Sequence, residues 1–213
     1  MSSSKKSIPP SVVKRLPKYF SYAQTLHTND TKWISSNELA SKLGLTSSTV
    51  RQDFSFLNIS GISKRGYEVS GLLQMLTKVL GADTVWKVVI VGAGNLGRAL
   101  ALHKEFSKRR FKILGVFDAD IEKQGKLVGD FEIMPMRKLP AIVGKHDIGL
   151  GIVAVPSKAA QAVADLMIAS GIKGILNMSM CHLIVPKWVS VTDSHIVASL
   201  QQLSHCVLFP CNK

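Results

Sequence analysis

The sequence predicts an α/β protein in two parts: a small N-terminal winged helix-turn-helix domain, then a larger domain on a parallel β-sheet, closed by an apolar C-terminal helix. Three observations predict it. Two short amphipathic segments near the N-terminus are separated by Gly44-Leu45-Thr46, the length of a helix-turn-helix break. From Lys87 onward short apolar runs alternate with helical patterns, which implies a parallel sheet with helices on both faces. Between these parts the apolar run Val88-Val89-Ile90-Val91 leads into Gly92-Ala93-Gly94-Asn95-Leu96-Gly97 and then a helical pattern from Arg98. That order of strand, Gly-x-Gly-x-x-Gly and helix is a dinucleotide-binding, Rossmann-type fingerprint in its proper context.

Residues 1–7 read as a disordered basic leader. Ile8-Pro9-Pro10 opens a helix, because proline suits the first helical turn. Val12, Val13, Leu16, Tyr19, Phe20 and Ala23 carry it at helical spacing to about His27, with a kink or short break at Pro17. Trp33-Ile34 forms a short strand. Ser35 and Glu38 have capping-box spacing and open a helix that Gly44 ends. Thr46 caps a second helix from Ser47 to about Leu57. Gly61 to Val69 reads as a β-wing with Lys64-Arg65 at its tip, and Ser70 as the cap of a helix from Gly71 to Leu80. Gly81-Ala82-Asp83 breaks the chain. Strands then follow at Lys87–Val91, Lys112–Phe117, Phe131–Met134, Ile148–Val155, Gly174–Asn177 and Val189–Val191. Helices follow at Arg98–Phe106, Lys158–Ser170 and Ser194–Leu208. The domains are therefore placed at 1–82, 83–192 and 193–213.

Composition narrows the function. The 213 residues carry a formal charge of +13. Residues 1–82 hold 11 Lys and Arg against 4 Asp and Glu, a net of +7, so the N-terminal domain is the more densely basic and suits a polyanionic partner. No run of about 20 apolar residues suggests a membrane span. No apolar stretch follows the basic start, so a signal peptide is not expected and the location reads as cytoplasmic. Cys181, Cys206 and Cys211 lack the spacing of a zinc site or a disulfide framework, and no metal is expected.

The glycines have distinct tasks. Gly92 permits the tight turn out of the strand, Gly94 lets backbone approach a pyrophosphate, and Gly97 lets helix and strand pack closely. Asn95 and Leu96 lie at the helix start, where backbone N–H groups face an anion. Asp118 ends the second strand, 21 residues beyond Gly97. An acidic residue there accepts hydrogen bonds from the adenosine ribose and repels a 2′-phosphate, which favours NAD(H). Val155, Pro156 and Asn177 sit at the carboxyl ends of later strands, where the nicotinamide cleft lies in such folds.

On the second helix of the helix-turn-helix, Val50, Phe54 and Leu57 form the core face. Ser47, Ser48, Arg51, Gln52 and Ser55 are left toward double-stranded DNA: arginine reads guanine, glutamine reads adenine and serines hold phosphates. Lys64 and Arg65 on the wing suit an adjacent minor groove. No Ser/His/Asp set or carboxylate pair stands out, and only His182 and Lys158 offer a general acid or base near the cleft, so no catalytic residue is assigned.

In this order, several segments resemble the Rex family of redox-sensing transcriptional repressors. They are Ile8-Pro9 with Lys14-Arg15-Leu16-Pro17-Lys18-Tyr19-Phe20, Thr49-Val50-Arg51-Gln52-Asp53-Phe54-Ser55, Gly66-Tyr67-Glu68-Val69, the glycine loop, Phe117-Asp118-Ala119-Asp120 and Gly171-Ile172-Lys173-Gly174-Ile175-Leu176-Asn177. The resemblance implies a homodimer with the C-terminal helix swapped into the partner, an inverted-repeat operator, and release when NADH rises. An apolar terminal helix also wants a surface to cover. The family carries a tyrosine late in the helix after the glycine loop and an aspartate at the start of the C-terminal helix, a pair that closes the NADH-bound state. This chain has His103 and His195 at those places, and Val50-Arg51-Gln52-Asp53-Phe54 where the family has Val-Arg-Lys-Asp-Leu. Two other readings fit the same residues: a Rex-like DNA-binding protein with weakened NADH sensing, and an NAD-dependent oxidoreductase.

Overall fold

A computed structural model describes residues 8–209; the leader expected over residues 1–7 and the C-terminal Cys211 lie outside the described residues. The chain divides into two compact units between Thr84 and Val85.

The first unit opens with α1 (Pro10–Val13) and α2 (Leu16–Thr28), each with proline in its first turn. Pro17 thus begins a new helix rather than kinking one. β1 (Trp33–Ile34) follows, then α3 (Ser36–Leu43) and α4 (Ser47–Phe56). The capping box on α3 forms as expected: the Glu38 N–H donates to Ser35 Oγ, and the Ser35 N–H to the Glu38 carboxylate at 2.8 Å. Gly44 ends α3 with φ +66, a conformation that side chains rarely adopt. Thr46 caps α4 by accepting the Thr49 N–H.

The wing is smaller than expected. A single bridge, Ile62 to Gly66, closes its turn, and β2 (Tyr67–Glu68) pairs antiparallel with β1. α5 (Val69–Leu80) starts directly after β2, capped at Glu68 and not at Ser70. The Val69 N–H donates to the Lys32 carbonyl, so its orphan donor is met from the β1 side and no serine cap is needed. Val12, Leu16, Tyr19, Val50, Phe54, Val69 and Leu76 meet in one core, with the Phe54 ring edge-on between Tyr19 and Tyr67 at 5.0 and 4.8 Å.

Inside that core Asp53 is almost fully buried. The Arg15 guanidinium grips it with two hydrogen bonds of 2.6 and 2.7 Å, and the Tyr19 hydroxyl donates a third at 2.8 Å. A buried carboxylate is tolerable only when paired and hydrogen-bonded. This one ties α4 to α2. Burial, then the hydrogen bond to Asp53, push the Tyr19 hydroxyl well above the ordinary tyrosine range.

The second unit is a seven-stranded sheet ordered β5-β6-β4-β3-β7-β8-β9. Its strands are β3 (Trp86–Val91), β4 (Phe111–Asp118), β5 (Leu127–Val128), β6 (Phe131–Pro135), β7 (Leu150–Val153), β8 (Gly174–Asn177) and β9 (Ser190–Asp193). Only β5 runs antiparallel to its neighbour. Counted without β5, the order is that of a Rossmann sheet, 3-2-1-4-5-6. Along β3, Val88 and Ile90 pack to one face and Val89 and Val91 to the other, so the strand is apolar from Val88 to its carboxyl end.

The helices are α6 (Asn95–Ala101), α7 (Glu105–Lys108), α8 (Leu139–His146), α9 (Ser157–Ala169) and α10 (Ile196–Leu208). Two differ from expectation. The helix expected over Arg98–Phe106 starts earlier, inside the glycine motif, and breaks after Ala101. There His103 Nδ1 accepts the Glu105 N–H at 3.2 Å, offering the backbone a local alternative to the helical ladder. A one-turn 3-10 helix (Met136–Lys138) and α8 were not anticipated; Pro140 and Gly144 dilute the apolar periodicity there.

Asp53→Ala is expected to lower the stability of the first unit by about 3 kcal/mol, because it strands a guanidinium and a buried hydroxyl. Tyr19→Phe, which removes one donor, should cost about 1 kcal/mol. Urea unfolding followed at Trp33 measures both; equal losses would show that the carboxylate is not the hub.

Candidate dinucleotide and nucleic-acid sites

β3 lies between β4 and β7, at the point where the strand order reverses, and the crevice beyond its carboxyl end is where such sheets bind ligands. The glycine loop occupies it. The Gly92 N–H donates to the Phe117 carbonyl at 2.7 Å, and the Ala154 N–H to the Val91 carbonyl at 2.8 Å, which stitch the loop to β4 and to the end of β7. Gly92 has φ +106, and a Cβ there would collide with the Ala154 carbonyl and lie 2.9 Å from Val155 Cγ1. A Cβ at Gly97 would strike the Gly92 carbonyl. A Cβ at Gly94 would meet nothing within 4 Å. Two glycines are therefore demanded by packing, while Gly94 faces open space. Gly94 caps α6 with no side-chain hydrogen bond, and Asn95 and Leu96 form the exposed first turn.

Asp118 sits across this space. Its Oδ2 accepts the Ala93 N–H at 2.7 Å and lies 3.3 Å from Lys123 Nζ; its Oδ1 accepts the Asp120 N–H at 2.9 Å. Burial opposes ionisation, but the two backbone N–H groups and the ammonium outweigh it and hold the carboxyl below the usual carboxylate range. Asp120 is a turn residue, accepting the Glu122 N–H. Val155 packs beside the loop, and exposed Pro156 caps α9.

Asn177 is also at this end of the sheet, paired with Val153, but its side chain is fully buried. Its amide donates to the Cys181 carbonyl and to Asp193, and its oxygen accepts the Ser179 N–H and hydroxyl. All four hydrogen-bonding positions are used within the chain. Asn177 shapes the loop over residues 178–181 and the start of β9's outgoing segment.

In the first unit Val50, Phe54 and Leu57 are buried, while Arg51, Gln52 and Ser55 are exposed on the opposite side of α4, with Ser48 exposed and Ser47 half-buried in its first turn. The Ser48 hydroxyl is 2.9 Å from Thr46 Oγ1, Ser55 Oγ donates back to the Gln52 carbonyl, and Arg51 Nη1 donates to Ser36 Oγ at 3.2 Å. A polar groove between α4 and the wing is lined by Ser36, Asn37, Arg51 and Lys64. Lys64 stands at the turn apex with φ +63, and the Arg65 guanidinium lies 4.7 Å over the Trp33 ring. Sequence reasoning passed over Asp53 and Trp33. An acidic residue on the inward side of an amphipathic helix was the available signal for the first.

His103 lies in the turn between α6 and α7, its ring edge-on to Phe106. His195 precedes α10; its Nε2 is buried, makes no hydrogen bond and lies 3.8 Å from Asp193 Oδ1. Among the described residues no group of His, Cys, Asp or Glu is placed to hold a metal ion, and no helix is long and apolar enough to cross a membrane.

Two family models match the chain: "Putative DNA-binding protein N-terminus" over residues 7–55 and "CoA binding domain" over residues 83–181. The chain is 42% identical over 203 residues to the redox-sensing transcriptional repressor Rex of Caldicellulosiruptor bescii, covering 94% of this chain and 93% of that one. It is 38% identical to the Rex of Pelotomaculum thermopropionicum, covering 92% of both. Its fold matches RSP, a Rex-family repressor, in complex with β-NAD+ and operator DNA, at a TM-score of 0.89, 36% identity and coverage of 95% of this chain and 93% of that one. RSP in complex with β-NADH matches at 0.84 and 37%, covering 95% of both. With that identity sustained across both units, the chain belongs to the Rex family of transcriptional repressors.

Proposed function

We propose that this chain is a transcriptional repressor that binds an inverted-repeat operator in double-stranded DNA and is released from it as the NADH/NAD ratio rises. The observation that carries the reading is the space cleared in front of Gly94, faced by Asp118, in a chain whose basic N-terminal unit presents a helix-turn-helix. Gly92, Gly94, Asn95, Leu96 and Gly97 cradle the pyrophosphate, Asp118 takes the adenosine ribose, Val155 and Pro156 line the nicotinamide side, and Asn177 acts through the loop it holds. Ser47, Ser48, Arg51, Gln52 and Ser55 face the major groove; Lys64 and Arg65 serve the adjacent minor groove. The activity is regulatory, with no catalytic residue assigned, and its place is the cytoplasm, with the DNA.

The working unit in this reading is a homodimer. α10 has no buried residue, and Ile196, Leu200, Leu203 and Val207 are all more than half exposed. The sheet carries an apolar groove of about 420 Å³ lined by Val88, Phe106, Phe111, Leu150, Ile152 and Leu176. A swapped α10 from a second copy would cover surface that a lone chain leaves wet.

A specific observation favours weakened gating as a second reading. His103 Nδ1 is engaged by the Glu105 N–H and His195 Nε2 is buried in its own subunit, so a bond between His103 and His195 of the partner subunit has only one ring nitrogen on each side to use.

Four outcomes test these readings. Gly94→Val should fold normally and lose dinucleotide binding, whereas Gly97→Ala should lower the melting temperature; calorimetry and thermal unfolding separate the two. Arg51→Ala should cost about 1–3 kcal/mol on operator DNA if it reads a base, with little change on random duplex. Lys64→Gly relieves a strained φ while removing a cation, so it should weaken all duplexes and flatten the salt slope without loss of stability. NADH-dependent release in a gel shift should strengthen in the double variant His103→Tyr, His195→Asp; a parent already releasing as steeply would rule out weakened gating.

A further inference from the structure

Lys123 has no role in the reading above, yet its ammonium stands at the ribose end of the dinucleotide crevice. It lies 3.3 Å from Asp118 Oδ2 and 3.3 Å from Asp120 Oδ2, on a side chain that is 38% exposed. Asp118 is only 12% exposed at its side chain and is fixed by the Ala93 and Asp120 N–H groups, so the ammonium covers its open edge. The turn that carries Lys123 is itself pinned, since the Gln124 amide donates to the Asp118 carbonyl at 3.1 Å.

A carboxylate that accepts the ribose 2′-hydroxyl stands within hydrogen-bond distance of the oxygen that bears the phosphate in NADP(H). The phosphate is therefore brought up against Asp118 and, in this chain, against Lys123 as well. Two carboxylates and one ammonium leave this corner with a charge of −1, which still disfavours a phosphate, but by less than the carboxylates alone would. We propose that Lys123 is a second specificity-determining residue of the cofactor site, one that softens the discrimination against 2′-phosphorylated dinucleotides set by Asp118. The proposal rests on the dinucleotide reading above. It implies that NADP(H), when abundant, competes measurably for this regulator's site.

The test is the ratio of NADPH to NADH dissociation constants, measured by calorimetry on the full-length protein, for the parent, Lys123→Met and Lys123→Glu. Methionine keeps most of the stem and removes the charge. NADPH binding should weaken about tenfold in Lys123→Met, with NADH affinity held within about threefold, and should weaken further in Lys123→Glu. The parent's NADPH affinity should also fall more steeply with added salt than its NADH affinity, a difference that Lys123→Met should erase. Equal weakening of both dinucleotides would mean that Lys123 only braces the Asp118 turn, and an unchanged ratio would remove it from the site; either result overturns the inference while leaving dinucleotide binding intact. A parent that binds neither dinucleotide would overturn the cofactor reading itself and this inference with it.

Discussion

The dinucleotide end of the molecule depends on one close approach: the backbone of the glycine loop against the carboxyl end of β7 and the first turns of α6. Gly92 lies against the Ala154 carbonyl and Gly97 against the Gly92 carbonyl, with no space for a β-carbon at either. That contact sets the direction of α6, leaves Gly94 facing an open crevice, and brings the Ala93 N–H to Asp118. The carboxylate satisfies a loop amide, and on the proposed reading the same group is the acceptor for a ribose. A ligand at this site meets open space before Gly94 and an Asp118 carboxylate already engaged by the chain.

The N-terminal unit solves a different problem with a different device. Its helices are short, and α4 has to expose one polar side while burying the other. Val50, Phe54 and Leu57 supply the apolar contact, and Asp53 adds direction, because a carboxylate gripped by a guanidinium fork and a phenol has far fewer acceptable orientations than a methyl group. Buried charge costs stability relative to a well-packed apolar alternative; conformational specificity is what it can return. Beside α4, the Arg65 guanidinium over Trp33 and the tight Ile62–Gly66 turn hold the wing in a compact form.

The sequence by itself determined the order of parts, because each part is written in local terms. Short apolar runs marked the strands. The Ser35–Glu38 box and Gly44 marked a helix whose ends are satisfied by its own residues. The spacing of Gly92, Gly94 and Gly97 is itself a local motif, and the demand at Gly97 is met within it by the Gly92 carbonyl. Asp118 was legible as a strand-end acid for a similar reason, since it ends its strand at a short offset from the glycine loop.

What only the tertiary structure decided involves groups distant in the chain or helices with weak local signals. Asp53 meets Arg15 across 38 positions, and nothing near either residue announces the other. α8 draws its stability from Leu139 and Val143 packed against the sheet, not from a periodic pattern, which Pro140 and Gly144 interrupt. Asn177 was visible as a strand-end residue, but that its amide is consumed by Cys181, Asp193 and Ser179 depends on where β9 comes to rest. Local sequence specifies elements by the hydrogen bonds and sterics a segment can meet alone; the partners of its buried polar groups are chosen by the fold, because only close packing removes the water that would otherwise satisfy them.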